Sequence, residues 1–557
     1  MSRLLVIVVA GGCWLAAVSA ASQSPALGPL ARFAVGAAAA SGAVGGNMSY
    51  LDDGRVRVGV DLGKGGVITY LAPSSGGESV INDHDLGREV QQSYYSGPSG
   101  LGTPCPGFGS GWNPIGGGDC HGHASTVITS SNDGTMIYVK SIPLQWAFDN
   151  VSCECTFEHW ITLDGNSVRV HNRLTNNRAD RTQYPAQDQE LPAVYTVGRL
   201  YRLFSYEGGA PFTDGPLTEE HATLPQATYF WGTESWAALV DNSGWGLGVF
   251  KPDGSSRFLG GFAGVRGAGG PADDATGYVS PTDRPLLDWN VVYEYDYTLV
   301  LGSLAEIRGY ALAHRPNQLV DFQFTNSREG WSYVNASDAG LPISNVLHAR
   351  LDRDDPQLWS PARAWPAKAT PTLYIRATYP AGSFDAQLFW ATAGGFADFS
   401  EEQSVHFTVV GDGHPHTYAV KLAGQPGWNG TIGRLRLDPA AVGGISVDID
   451  SISSKPTSTT VGNRDRRALT LAITGQRATG RLSDAANIAD CIAGQQIRIK
   501  RKKGTAWIIV ATTRTSVSGT YNAKLAKRRG TYRAAAPATR VGGDTCLATT
   551  SAAVRSP

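Results

Sequence analysis

The chain has 557 residues, enough for roughly three domains at about 100–200 residues each. Hydrophobic residues make up 42% and charged residues 17%, with 67 glycines and only 3 methionines. That balance argues against a helical bundle and against a disordered polymer, and favours short strands joined by tight turns. The net charge of −1 hides an uneven spread, because Lys and Arg far outnumber Asp and Glu only after about residue 466.

At the N-terminus, Arg3 supplies a positive start, Leu4 to Val9 begins an apolar run, and Ala17-Val18-Ser19-Ala20 offers a small-residue cleavage site. This is the pattern of a secretory signal peptide over residues 1–20. The apolar run is short for a membrane span, and no second stretch of about 20 apolar residues follows. Residues 21–46, rich in Ala, Ser and Gly, read as a flexible leader.

Beyond Cys13 there are six cysteines, an even number that implies disulfides in an exported protein. Cys491 and Cys546 stand apart from the others and are expected to pair. Cys105, Cys120, Cys153 and Cys155 allow three connectivities. Two residues apart on a strand is poor spacing for a bridge, so Cys153 and Cys155 are each expected to reach the Cys105–Cys120 loop. A zinc set built from these cysteines with His121 and His123 lacks the usual CxxC spacing, and no metal or cofactor is expected.

From Asn47 to Pro316 the chain reads as strand after strand. Arg55 to Val60 alternates polar residues with Val, and Gly65-Gly66 turns into Val67-Ile68-Thr69-Tyr70-Leu71. Thr135 to Val139, Cys155 to Leu163, Ser167 to Leu174, Trp236 to Val240, Trp245 to Phe250 and Val291 to Leu301 follow. Asp164-Gly165-Asn166 and Asn242-Ser243-Gly244 supply turns between them. The Gly65 to Leu71 segment resembles the opening hairpin of galactose-mutarotase-like supersandwich domains. Trp236 to Val240 followed by Gly244 to Val249 is similar to a strand pair late in such domains. The resemblance covers about half the chain and implies two large antiparallel sheets of the kind found in polysaccharide lyases and glycoside hydrolases.

The segment 317–456 carries strands at Phe322 to Phe324, Leu373 to Ala377, Ala386 to Trp390, Thr417 to Val420 and Val447 to Asp450. Its run Gly427 to Pro439 is similar to the late strands of jelly-roll carbohydrate-binding modules. The basic segment 457–557, with strands at Ile497 to Lys500, Trp507 to Val510, Ser518 to Tyr521 and Gly530 to Ala534, resembles small immunoglobulin-like accessory domains. Its charge suits an anionic cell-wall polymer, or simply a solvated surface. The expected architecture is therefore all-β: a supersandwich, a jelly-roll sandwich and a small immunoglobulin-like sandwich.

Two polar clusters carry candidate chemistry. The first, Asn82 to Pro98, packs polar and aromatic residues too densely for an apolar core strand. On a concave sheet face His84, Asp85, Arg88 and Gln92 would bind a polar ligand, while Tyr94 or Tyr95 would stack on a sugar ring. The second, Arg181 to Tyr195, holds Asp188 and Glu190. On an extended chain, residues two apart point to one face, which suits an acid/base pair. Trp231 and Trp236, with Tyr229, are candidate walls of a sugar subsite. Glu154 and Glu158 share a face but suit cross-strand ion pairs equally well. There is no GxSxG, HExxH, P-loop or dinucleotide fingerprint in credible context.

The leading expectation is a secreted enzyme that hydrolyses glycosidic bonds in an extracellular polysaccharide through Asp188 and Glu190. One alternative is a lyase acting on a uronate-containing glycan, with Arg88, Gln92 or His84 on the carboxylate and Tyr94 or Tyr95 moving protons. Another is a non-catalytic glycan-binding adhesin. The expected partner is a polysaccharide or oligosaccharide, with neither nucleic acid nor a membrane span.

Overall fold

A computed structural model describes residues 47–99, 101, 105, 111–339, 343–393, 399–455, 464–465, 467–484, 489–516, 518–526, 529–541 and 544–556. The expected signal peptide and leader lie outside these residues. Residues up to Ser454 group as one compact unit and residues from Lys455 as another. The protein is all-β, in multiple antiparallel sheets.

The first sandwich pairs a ten-stranded with a nine-stranded sheet. The larger sheet runs Met48–Asp52, Val56–Asp61, Val67–Pro73, Val90–Ser93, Gln189–Val197, Thr276–Asp283, Arg257–Ala263, Thr228–Trp231, with two short strands beside Val90–Ser93. The other is centred on Val291–Ser303, flanked by Trp245–Phe250 and Ser167–Asn176. Alternation places Val58, Val60, Ile68, Val90 and Val279 of one sheet against Phe157, Ile161, Val168, Leu239 and Leu299 of the other. Burying side chains of this size is worth about 1.5–3 kcal/mol each.

The helix Leu304–Ala313 opens with a capping box between Ser303 and Glu306. It lays Ile307 and Ala311 on the outer face of the second sheet, over Trp236, Ala238, Phe250 and Val300.

The second sandwich has two six-stranded sheets. Leu347, Ile375 and Ile449 of one pack against Leu388, Trp390 and Leu435 of the other. It is joined to the first sandwich by buried ions. Arg363 reaches Asp253 (3.2 Å) and Asp283 (3.1 Å), while Arg328 reaches both Asp288 (3.0 Å) and Asp338. The Thr431 hydroxyl donates to the Gly209 carbonyl at 2.9 Å. In the unit after Lys455, Ile497, Ile499, Tyr521, Tyr532 and Ala534 form a small core.

Each expected strand overlaps an observed one, Trp236–Val240 and Trp245–Phe250 with the same bounds, while those expected at Arg55, Thr135, Phe322 and Ser518 are displaced by one or two residues. Among the strands that sequence patterning passed over are Val90–Ser93, Gln189–Val197, Thr228–Trp231, Arg257–Ala263 and Thr276–Asp283. Most of their residues are buried on both faces, and several are polar or glycine, so no apolar/polar alternation marks them.

Cys491 pairs with Cys546 and Cys105 with Cys120. Cys153 bridges its near neighbour Cys155, with Cα atoms 5.0 Å apart, which corrects the expectation that both reach the Cys105–Cys120 loop. The local backbone turns between the two residues, since the strand begins only at Cys155. No helix of the described residues is long and apolar enough to cross a membrane.

Two expectations follow. The bridge between Cys491 and Cys546 spans 55 residues, so its reduction should cost the C-terminal unit about 4 kcal/mol, measured by denaturant unfolding before and after reduction. Truncation after Pro316 strips the buried Asp283 and Asp288 of arginine partners, and each broken buried pair costs about 3–5 kcal/mol. That fragment should aggregate or lose its melting transition, while a chain ending at Ser454 should melt cooperatively in calorimetry.

Candidate functional site

The strand Gln189–Val197 lies mid-sheet, between Val90–Ser93 and Thr276–Asp283. A register shift between Glu190 and Val194 breaks its alternation. Leu191 and Val194 enter the main core, whereas Ala193 and Tyr195 belong to a separate cluster with Tyr95, Leu259 and Tyr278 on the other face. Glu190 also turns to that outer face: its carboxylate accepts from Tyr95 Oη at 3.0 Å and from Tyr278 Oη. Only 1% of Glu190 is exposed. Burial pushes its carboxyl above the ordinary carboxylate range, against hydrogen bonds from Ser93, Tyr278 and Tyr95 that pull it down. A recess of about 10 Å³ beside it, room for about one water, is lined by Gln91, Ser93, Tyr95, Asn113 and Trp146.

Asp188 sits just before this strand and is partly exposed. It pairs with Arg257, lies 3.9 Å from Arg284 Nε, and accepts from Tyr229 Oη at 3.1 Å. Burial alone would raise its pKa, but Arg257, Arg284 and Arg434 outweigh that and hold it below the ordinary value. Burial drives Tyr229 up first and the charge of Asp188 second, with Glu190 contributing least. The two carboxyls are held apart in protonation by different surroundings, not by mutual repulsion. Tyr95, Tyr195, Tyr229 and Tyr278 are all driven up by burial and then by the nearby carboxylates, so each remains a hydrogen-bond donor.

Most of the first cluster is structural. Arg88 is committed to Asp85 (3.1 Å) and Asp274 (2.7 Å), which fastens two loops and leaves nothing to clamp a ligand. His84 Nδ1–H donates to the Ala272 carbonyl at 2.8 Å, in the same loop contact. Gln92 and Tyr94 point into the core: Gln92 donates to the Glu158 carbonyl, and Tyr94 Oη donates to Gln92 while its ring packs edge-on against Phe157. Trp236 is fully buried beneath the helix and donates to Glu234 at 3.1 Å. Of the expected binding residues, Tyr95 lies beside Glu190, and Trp231 lies at the edge of the same sheet face.

The residues that sequence reasoning missed are Arg257, Tyr278, Arg284 and Arg434. Three come from strands, and only pairing across the sheets and between sandwiches brings them to Asp188. The rival Cys/His set is only partly assembled: Cys105, Cys120 and His121 approach one another, but the two cysteines are bridged. Asp119, His123 and Asp149 do approach one another. Asp119, however, already accepts from the backbone N–H groups of His121, His123 and Asn150, which makes it a loop organiser. Glu158 is held by Tyr138 (2.7 Å), Lys140 and Arg173 across neighbouring strands.

No protein-family model matches the chain, and no curated protein matches it. Among solved structures, a galactose mutarotase-like protein from Lactobacillus casei aligns at TM-score 0.30 and 12% identity, over 46% of this chain and 100% of that one. A galactose mutarotase related enzyme from Lactobacillus acidophilus aligns at TM-score 0.30 and 10% identity, over 46% of this chain and 97% of that one. A 4-alpha-glucanotransferase from Thermococcus litoralis aligns at TM-score 0.26 and 11% identity, over 47% and 40%. Likenesses of this strength carry no assignment, so the chemistry is read from the site's own residues.

The opposite shifts of the two carboxyls give opposite linkage to folding. Glu190 is raised in the folded state, so its stabilising contribution is complete below the unfolded value of about 4.3 and is lost as pH rises. Glu190→Gln should therefore melt higher than wild type at pH 7, with the gain shrinking as pH falls toward about 4. Asp188 is lowered, so its contribution is complete above about 3.9 and is lost as pH falls. Asp188→Asn should melt lower at pH 7, with a loss that shrinks in acid. Scanning calorimetry across this range checks both signs.

Proposed function

We propose that the protein is an exported carbohydrate-active enzyme that cleaves glycosidic bonds, with Glu190 and Asp188 as its working carboxyls. The observation that carries this reading is one sheet face holding a carboxyl pushed toward its protonated form beside another kept ionised by arginines. Acid chemistry on a glycosidic oxygen needs that division of roles. Glu190 keeps its proton at higher pH than a free glutamate and is the donor to the leaving oxygen. Asp188 stays charged, steadied by Arg257 and Tyr229, and is the group that orients water. Tyr95, Tyr229 and Trp231 supply ring faces, and Trp231 Nε1 a donor, to a sugar. The disulfides fit an extracellular protein, and the apolar N-terminal segment supports export. The Lys- and Arg-rich unit after Lys455 supports adhesion to an anionic polymer.

The lyase reading has less to draw on. It needs an uncommitted cation in the first cluster and a tyrosine ready to lose its proton. Arg88 is doubly paired, Tyr94 is in the core, and the tyrosines around Glu190 are all held in the protonated state.

A polysaccharide panel with product mass spectrometry tests the reading, since hydrolysis adds one water and elimination does not. Glu190→Gln and Asp188→Asn should each lower turnover by about 100-fold or more. Arg88→Ala and Tyr94→Phe should lower the melting temperature and leave turnover per folded molecule near wild type. Retention of more than about a tenth of wild-type turnover by both carboxyl variants would sink the assignment, and absence of cleavage across the panel would favour the adhesin.

A further inference from the structure

The crevice where the two sandwiches meet holds more positive than negative charge. Lys251, Arg257, Arg284, Arg363 and Arg434 face Asp188, Asp253 and Asp283 there, with Asp296 also acting on Lys251, leaving one positive charge in excess. Three of the five cations are well satisfied. Lys251 donates to the Asp296 carbonyl at 2.8 Å and lies over the Tyr295 ring. Arg363 holds Asp253, Asp283 and the Ser255 hydroxyl. Arg257 holds Asp188 and lies over the Tyr229 ring.

Arg434 differs. It is only 7% exposed, yet among the described residues Nε and Nη2 have no hydrogen-bond partner. Its one ion pair, Nη2 to Asp283 Oδ1, spans 3.7 Å. Burial, opposed by Asp283, brings its pKa down to about 10, so it stays charged at neutral pH. The local backbone explains its direction. Ile432, Leu435 and Leu437 turn into the second core, and a register shift opposite Ala391 and Thr392 releases Arg434 toward the first sandwich. Next to it, Gly433 accepts the Trp231 ring: a Cβ there would meet Cη2 at 2.8 Å. Trp231 Nε1 likewise has no partner among the described residues. At the outer side, Arg284 has a side chain about one-third exposed and gives Nη2 to the Ala186 carbonyl at 3.0 Å.

A buried guanidinium with unused donors is costly to maintain without a ligand. Its planar fork matches a carboxylate or a sulfate ester. We propose that this crevice is a subsite for an anionic substituent of the glycan, a uronate carboxylate or a sulfate ester, bound by Arg434 of the second sandwich and Arg284 of the first. Trp231 Nε1 is a third donor. The glycan half of the assignment rests on the reading above, whereas the anion half rests on Arg434 alone.

The test is a titration of the full-length protein with a galacturonate tetrasaccharide, a sulfated galactan tetrasaccharide and a neutral galactan tetrasaccharide, followed by calorimetry and Trp fluorescence. At least one charged ligand should bind roughly tenfold to a hundredfold more tightly than the neutral one. Which charged ligand wins identifies the anion. Arg434→Met and Arg284→Met should each remove the preference without weakening the neutral ligand. Should Arg434→Met fail to fold, Arg284→Met and the wild-type preference decide the matter. Equal affinity for charged and neutral ligands, or a preference that survives both substitutions, overturns the subsite. An anion preference with no cleavage of any polysaccharide keeps the subsite and removes the cleaving role. Cleavage of neutral glycans without an anion preference does the reverse.

Discussion

A carboxylate enclosed between two apolar sandwiches has to be neutralised where it stands, and Asp283 is enclosed in this way. It ends the strand Thr276–Asp283 of the first sandwich with 4% of its surface exposed. Its oxygens accept from the Arg284 and Ala362 backbone N–H groups and from the Arg363 guanidinium, and Arg434 lies beyond. Buried pairs of this kind add little net stability compared with an apolar contact, but separating them is expensive. Their effect is to fix the register of one sandwich on the other. With that register set, Arg434 of the second sandwich acts on Asp188 of the first, which neither sandwich alone would arrange.

The same constraint shapes the first sheet's outer face. Strands buried on both sides ordinarily carry apolar residues, yet Gln189–Val197 opens with a glutamine and a glutamate. A shift of one residue in register makes this possible, because it lets Leu191 and Val194 keep the core while Glu190 and Tyr195 share the opposite face. The phenol hydroxyls of Tyr95 and Tyr278 then supply the donors that water would otherwise give. Burial and donors pull the carboxyl in opposite directions, and burial prevails. At Asp188, a few residues earlier, three arginines reverse the balance. Two carboxyls of similar intrinsic acidity are thereby separated by their surroundings.

Parts of this were legible in the chain. Asp188 and Glu190 were expected on one face from their spacing, and both act on Tyr229. Tyr95 stood in a cluster too polar for a core strand, and it does meet Glu190. The neighbouring candidates Arg88, Gln92, Tyr94 and Trp236 make internal contacts that the chain did not announce, for a common reason. Composition identifies polar and aromatic residues but not the face they occupy. Gln92 and Tyr94 differ from Ser93 and Tyr95 by a single step along the strand, and that step exchanges the core for the outer face.

What the amino-acid sequence determined by itself is local: the all-β character, the positions of strands with clean alternation or turn signals, and the separate pairing of Cys491 with Cys546. These follow from short-range periodicity and from which cysteines stand apart. The tertiary structure decided everything that depends on distant strands meeting. It put Tyr278 and Arg257 on the face of Glu190 and Asp188, committed Arg88 to Asp274, turned Cys153 onto Cys155, and brought Arg434 from another sandwich to the same crevice. Protonation state follows burial and neighbouring charge, and both are properties of contacts made across hundreds of residues. A reading along the chain has no access to them until the sheets have closed.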